Sequence, residues 1–452
     1  MMKIKDSFSL FGKGVFWGLV IVAMTALKPE AVFANESVEN FFRTVTLADM
    51  RQVWKKTKGL TINPYLKAGY DWSSNVFKAS DQSVRVNPNS TDAVTTKHSD
   101  STWTIRPGIS ADYQGSNFRV GGSYEAAFKY FNRFSEQNTQ DQQFMTYAQW
   151  RPTKSTYLQI REDFKQVGET AGSPVFEPTN VRDNFIDVTA GIKLDSGQTI
   201  ETLYQNYAHD FQETLAKRYS YTENRYGIRG YQPLTQSIEL FSGVDVGTVG
   251  FEDFTARDTV YWEIPGGLRG KFFWGWEGIA QVAIHHRNLE ASNENDLTQL
   301  NSKIALQRKF DLLGNRDRLH NPTSVEFGFV RRAVEGTFST ATTYDEKMFY
   351  SSLKHLFTEK IRGRISVYAG NHDYEDRVFT GSRVVVGGAV FSTTPNQIRR
   401  SDDLFGTTVG MDYSLCDHLK LHLDYSYSRR ESNMSGIDFA DNTISLRTTI
   451  PL

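Results

Sequence analysis

The sequence predicts an all-β protein: a closed antiparallel up-and-down transmembrane β-barrel of about eighteen strands, with short periplasmic turns and long extracellular loops. Three observations predict it. Leu419 to Ser428 places Leu419, Leu421, Leu423, Tyr425 and Tyr427 at odd positions and Lys420, His422, Asp424, Ser426 and Ser428 at even ones. Strand side chains alternate between faces, so this segment has one apolar and one polar face. Segments of the same kind recur along the chain, and the connections between them alternate between short and long. Past the N-terminus no uninterrupted apolar run reaches membrane-spanning length, so entry into a membrane would be as strands.

The 452 residues are 39% hydrophobic and 13% aromatic, with a formal charge of −1. Balanced charge gives no reason to propose nucleic acid as a partner. The polar average is no obstacle to a barrel, because lipid contact needs only every second residue to be apolar. Cys416 is the single cysteine, so no intrachain disulfide is available, and it reads as a turn residue.

Residues 1–34 read as a cleaved signal peptide. Lys3, Lys5 and Lys13 carry the charge, Val15 to Leu27 is a short apolar run, and Val32-Phe33-Ala34 offers a cleavage site. An uncleaved anchor helix is the alternative. Residues 35–60 read as a periplasmic segment with helical spacing in Val38, Phe41, Phe42 and Val45, then in Leu47, Met50, Val53 and Trp54. A plug in the lumen, a helix on the rim and a loosely ordered stretch all remain open.

The barrel is expected from residue 61 to 452. Leu66, Ala68, Tyr70 and Trp72 oppose Lys67, Gly69 and Asp71. Trp103, Ile105, Ile109, Ala111 and Tyr113 oppose Thr104, Arg106, Gly108, Ser110 and Asp112. Phe118 to Tyr130 opposes Val120, Tyr124 and Phe128 to Arg119, Ser123, Glu125 and Lys129. Segments near 144–150 and 156–166 have noisier faces, and Ile186 to Leu194 is clean. Further strands are expected near 200–208, 219–231, 237–246, 259–270, 277–285, 297–307, 325–329, 347–356 and 361–369. The last three lie near 405–415, 419–428 and 444–452. Short links (Gln114–Asn117, Arg151–Ser155, Asp195–Thr199, Phe357–Lys360, Cys416–His418) alternate with long ones (Ser73–Ser101, Gly168–Asn184, Asn288–Asp296, Ala333–Thr343, Asn371–Ser401). That is the asymmetry of outer-membrane barrels. Arg308–Pro322 is long where a short turn is expected. Pro107, Pro265 and Pro451 lie inside strands, and each predicts a bulge or a strand end. Closure requires the last strand to pair with the first.

Several stretches resemble a family of outer-membrane β-barrel porins associated with exopolysaccharide biosynthesis and export loci. They are Gly69-Tyr70-Asp71-Trp72-Ser73-Ser74-Asn75-Val76-Phe77, Arg106-Pro107-Gly108-Ile109-Ser110-Ala111-Asp112-Tyr113, Tyr425-Ser426-Tyr427-Ser428 with Glu431-Ser432-Asn433, and Asn442-Thr443-Ile444-Ser445-Leu446. The resemblance covers about Pro64 to Leu452 and implies a barrel in the Gram-negative outer membrane and secretion of a surface polysaccharide. Its implied partners are outer-membrane lipids, the β-barrel assembly machinery, a polysaccharide substrate and export-complex proteins. The chain departs from the usual aromatic terminus by ending in Pro451-Leu452.

No catalytic motif and no cofactor signature is present, and no metal site is expected. His285 and His286 face opposite ways in a strand, and His418 and His422 would lie roughly 13 Å apart. Asn371 to Asp376 reads as an acidic loop start, either solvated or a calcium site. The candidate site is the lumen, with Lys67, Arg106, Arg119, Glu125, Arg362, Arg364, Asp412, Asp424 and Arg447 expected to line a pore. Arg362 and Arg364 share one face roughly 7 Å apart. Lys193 and Lys420 also face inward, as do Asp71, Asp112 and Asp187. Mixed signs suggest a hydrated, cross-linked wall, with ion pairing as structure the competing role. The functional expectation is a pore for export or diffusion of a polar solute such as a surface polysaccharide. A barrel that displays loops for adhesion or scaffolding, or a barrel enzyme, is the alternative.

Overall fold

The computed structural model describes residues 59–78, 97–169, 179–212, 217, 220–253, 258–289, 296–311, 323–335, 343–377, 384–386, 389–391, 399–416, 419–433 and 438–452. The expected signal peptide and nearly all of the expected periplasmic segment lie outside them, as does His418. Fifteen strands run consecutively: β1 (Gly59–Ser73), β2 (Asp100–Gln114), β3 (Phe118–Phe131), β4 (Thr139–Trp150), β5 (Thr156–Glu169), β6 (Thr179–Lys193), β7 (Thr199–Phe211), β8 (Tyr221–Pro233), β9 (Ile238–Phe251), β10 (Thr259–Lys271), β11 (Glu277–Leu289), β12 (Leu297–Phe310), β13 (Thr323–Glu335), β14 (Thr343–Leu356) and β15 (Ile361–Arg377). A small hairpin follows, β16 (Val384–Val386) and β17 (Ala389–Phe391), paired only with itself. Then come β18 (Arg399–Cys416), β19 (Leu419–Ser432) and β20 (Phe439–Pro451).

Every wall strand pairs antiparallel with its chain neighbour, and β20 returns to β1 from Tyr65↔Pro451 to Ser73↔Thr443. The sheet is therefore a closed cylinder of eighteen strands, the count the alternation predicts. The link 311–322 is long and leaves that count unchanged.

Alternation decides what each face does. Ile105, Ile109, Val244, Val282, Leu300, Leu423 and Leu446 are 46–55% exposed and point outward, although they are large and apolar. Water would penalise such a surface and hydrocarbon does not. Trp72, Trp103 and Tyr130 mark one end of this band, and Tyr113, Phe118 and Trp150 mark the other. An apolar band between aromatic girdles on a closed, even-stranded antiparallel barrel is the architecture of the outer membrane. The short turns place one end in the periplasm.

Three sequence expectations need correction. Pro107 and Pro265 cause neither a bulge nor a strand end. The pairing from Ile105↔Phe128 to Gly108↔Glu125, and from Glu263↔Asp245 to Gly266↔Ser242, keeps one register across each proline. Each proline removes one ladder donor and the flanking pairs hold the strand straight. Pro451 does end its strand. Asn371 to Asp376 is not a loop: β15 runs on to Arg377, and Asp373 accepts from Lys347 Nζ at 2.7 Å and from Ser401 Oγ at 2.8 Å. Cys416 closes β18 rather than sitting in the turn, and is exposed and free.

The Ser-Asn pairs of the family resemblance have a structural task at the outer rim. Ser74 Oγ donates to Asp441 Oδ1 at 3.2 Å, and the Asn75 backbone N–H donates to the same oxygen at 3.0 Å. Ser432 Oγ donates to Asp402 Oδ1 at 2.6 Å. Each pair fastens the exit of one strand to the start of its neighbour, and the first crosses the β1–β20 closure.

A tyrosine clamp recurs on the inner wall. Tyr65 on β1 lies over Gly108 on β2, and its hydroxyl donates to Glu125 on β3 at 3.0 Å. Tyr147 on β4 lies over Gly121 and donates to Asp112 on β2. Tyr157 on β5 lies over Gly191 and donates to Glu201 on β7. Tyr261 on β10 lies over Gly247 and reaches Glu223 on β8. A Cβ at Gly191 would stand 2.2 Å from the Tyr157 ring, so only glycine admits it. Gly191→Val is expected to destabilise the barrel by about 1–3 kcal/mol by overpacking. In the Tyr157→Ala background the same change should add little, as a double-mutant cycle of urea unfolding in lipid vesicles would measure.

Candidate functional site: the inner wall

The inner wall has two unlike halves. Around β8 to β15 it is filled. Asp245, with no exposed surface, accepts from Arg225 Nη2 at 2.5 Å and from Arg229 Nη2 at 2.7 Å. Arg225 also donates to Glu263 Oε1 at 2.8 Å, whose other oxygen accepts from Asn301 Nδ2 at 2.8 Å and lies 3.3 Å from His285 Nδ1. Further round, Arg332 Nε donates to Glu346 at 2.6 Å, with His372 Nε2 at 3.5 Å. Ala305, Val330, Met348, Tyr350 and Leu404 form a buried apolar patch beside this network. Buried charges persist only when paired; each carboxylate of this network has a cationic partner, although Asp245 Oδ1 and the Nε atoms of Arg225 and Arg229 accept or donate no hydrogen bond among the described residues.

Sequence reasoning gave β8, β9, β10, β12 and β14 only as ranges and missed the network. The signal was present: Glu223, Arg225 and Arg229 fall on every second position, with Tyr226 and Ile228 between them. Which carboxylate each arginine meets depends on β9 and β10, and no spacing within β8 states that.

Around the closure the wall is open. A recess of about 200 Å³ is lined by Lys67, Asp71, Arg106, Arg364, His422, Asp424 and Arg447, among others. The structure thus brings together five of the nine candidates from both ends of the chain. Lys67 Nζ donates to Glu125 Oε2 at 2.5 Å, and Arg106 Nη1 lies 3.7 Å from the other oxygen. Arg364 grips Asp424 with two bonds, Nε to Oδ1 at 3.1 Å and Nη2 to Oδ2 at 2.5 Å. Arg447 Nη2 donates to Asp71 Oδ1 at 3.1 Å. Asp412 is held by His422 Nδ1 at 2.8 Å. Arg362 stands opposite Asp412 in register, exposed, and without an ion-pair partner among the described residues. Arg119 is apart from this group, bonded to Asp112 at 2.9 Å beside Tyr147.

In the pairs at the recess the cation is the more exposed member: Lys67 is 39% exposed against 14% for Glu125, and Arg364 36% against 9% for Asp424; Arg119 with Asp112, apart from the recess, is the reverse. The carboxylates lie against the sheet while the cationic ends reach toward the bore. The reason is partly length, since Lys and Arg stems run along the wall and leave their heads in water.

His285 and His286 do face opposite ways: His285 is buried near Glu263, and His286 meets Thr298 at 2.8 Å on the outer face. Among the described residues no group of three or more His, Cys, Asp or Glu is placed to hold a metal ion.

No family model and no curated protein matches the chain. Among solved structures, OpdK (OccK1) of Pseudomonas aeruginosa is similar, with 11% identity and a TM-score of 0.45 over 86% of this chain and 99% of that one. The siderophore receptor PirA of Pseudomonas aeruginosa is similar at 7% identity and a TM-score of 0.41, over 88% and 81%. A bacterial polysaccharide outer membrane secretin is similar at 8% identity and a TM-score of 0.33, over 86% and 98%. At these values the likeness adds nothing to what the strand pairing itself shows.

Proposed function

We propose that this barrel is an outer-membrane pore that passes a polar solute, and that the solute is a surface polysaccharide or its units on their way out of the cell. The observation that carries the reading is the inner wall. It carries paired charges on both its filled and its open side, and at the closure it leaves an open recess instead of a packed core. A barrel that served only as an anchor for outer loops would gain more stability from a filled apolar interior. In this reading Lys67, Arg106, Arg119, Glu125, Arg362, Arg364, Asp412, Asp424 and Arg447 line the pore. Their ion pairs hold the wall in shape while their exposed ends meet the solute. The family resemblance supplies the polysaccharide.

Planar-bilayer recording of the purified barrel is expected to show discrete conductance steps. A barrel that inserts and stays silent would leave adhesion or scaffolding as the better reading. A strain that lacks the protein and still exports its polysaccharide normally would remove the solute assignment while leaving the pore.

A further inference from the structure

The recess at the closure has a direction. On one hydrogen-bonded row Arg106 stands opposite Lys67, Lys67 opposite Thr449, and Thr449 opposite Lys420. The next row outward carries Arg362, Asp412, His422 and Arg447 on consecutive strands. The row beyond that carries Arg364, Asp424 and Asp71, with Gly410 and Ser445 between them. From the third of these rows to the first the carboxylates fall from two to one to none, and Glu125, in register with Gly108 and Tyr65, stands one row nearer the short-turn end. Glu125 is shared by two cations, while Lys420 and Arg362 are exposed and have no acidic partner among the described residues. Elsewhere near that end Arg269 pairs with Glu239 at 2.6 Å and Lys354 with Glu326 at 3.4 Å, while Lys193 and Lys309 stand singly on their strands among the described residues.

We infer that this stripe of the wall is a binding track for a carboxylate-bearing saccharide entering from the periplasm, with Arg362, Lys420, Lys67 and Arg106 as its first contacts. The inference rests on the pore reading and adds the class of solute. Unmatched cations at a low-dielectric mouth focus anions into it. Successive rows lie roughly 7 Å apart along a strand, so single charges repeated along a sugar chain can pass from one row to the next. Multi-site contact of this kind binds firmly enough to admit a solute and weakly enough to release it. A neutral glycan has no charge for these contacts to act on.

The test uses the full barrel in planar bilayers under a KCl gradient, with the Arg362→Gln/Lys420→Gln double variant alongside. Among the described residues neither side chain has an acidic partner to lose, so folding should be intact. The wild type is expected to prefer chloride over potassium by at least about twofold, and the variant to approach unity. Oligogalacturonate on the short-turn side should block the current, and maltohexaose of equal length should not. A conducting wild type that is unselective or prefers cations overturns the inference, as does a ratio the double variant leaves unchanged. A barrel that does not conduct overturns the pore reading alone. Titration of oligogalacturonate onto the barrel in detergent then decides: about tenfold or greater weakening in the variant supports the track, and equal or absent binding overturns it.

Discussion

Asp245→Ala is expected to destabilise the barrel by about 3–5 kcal/mol, the cost of breaking a buried pair by removing one partner. Asp245 is fully buried and accepts from two guanidinium groups, Arg225 and Arg229. Without it Arg229 loses its ion-pair partner and Arg225 keeps only Glu263, which also serves Asn301 and His285. A positive charge is then left uncompensated in a place that water reaches poorly. Urea unfolding in short-chain lipid vesicles, followed by tryptophan fluorescence, measures the loss. A shift below about 1 kcal/mol would mean that the network is solvated and that its pairs behave like surface ones. Removing the charges together, as Arg225→Met, Arg229→Met, Asp245→Leu and Glu263→Gln in one chain, should recover most of the loss, because no carboxylate of the network is then left without its arginine.

Val282→Arg should cost about 2–4 kcal/mol, and Gln281→Arg far less. The two residues are neighbours in the middle of β11, yet Val282 is 55% exposed on the outer band and Gln281 faces inward. A charge at the centre of the lipid face loses its water, whereas Gln281 is only half-buried on the inner wall and an arginine there keeps part of its own. Comparable losses at the two positions, measured by the same vesicle titration, would contradict the assignment of faces. A one-residue error in register exchanges the two outcomes, so the pair also tests the register.

The fold was almost entirely legible, for a physical reason. Lipid demands an apolar outer face on every strand, and the period of two writes that demand directly into Leu419 to Ser428 and Ile186 to Leu194. The two noisy strands now have causes. Tyr147 and Tyr157 are large and aromatic but face inward, where each lies on a glycine, and Glu162 stands on the outer face between Ile160 and Phe164. Alternation cannot reveal an inward tyrosine, because its ring looks like lipid contact until the glycine opposite is known. The site was half legible. The face of Lys67, Arg364 and Arg447 follows from spacing, but their meeting follows from closure, which joins residues almost four hundred positions apart. The expectation failed at Pro107 and Pro265, though not at Pro451, because it weighed the lost donor and ignored the stiffness of the flanking pairs.

The tyrosine clamps also act as keys against slippage. A strand that slides by two residues keeps its faces correct and still spoils the cylinder. Slid by two, Tyr65 would meet Arg106 or Ser110 in place of Gly108, and Tyr157 would meet Thr189 or Lys193 in place of Gly191. Each alternative carries a Cβ where the ring must lie. Because a closed sheet has no free edge to absorb an offset, any slip would travel round to the last pairing, β20 with β1, beside which the Tyr65 clamp sits. Strand stagger, tilt and diameter are linked in a barrel. A few glycines on the inner wall therefore gauge the width of the bore that the charged stripe descends.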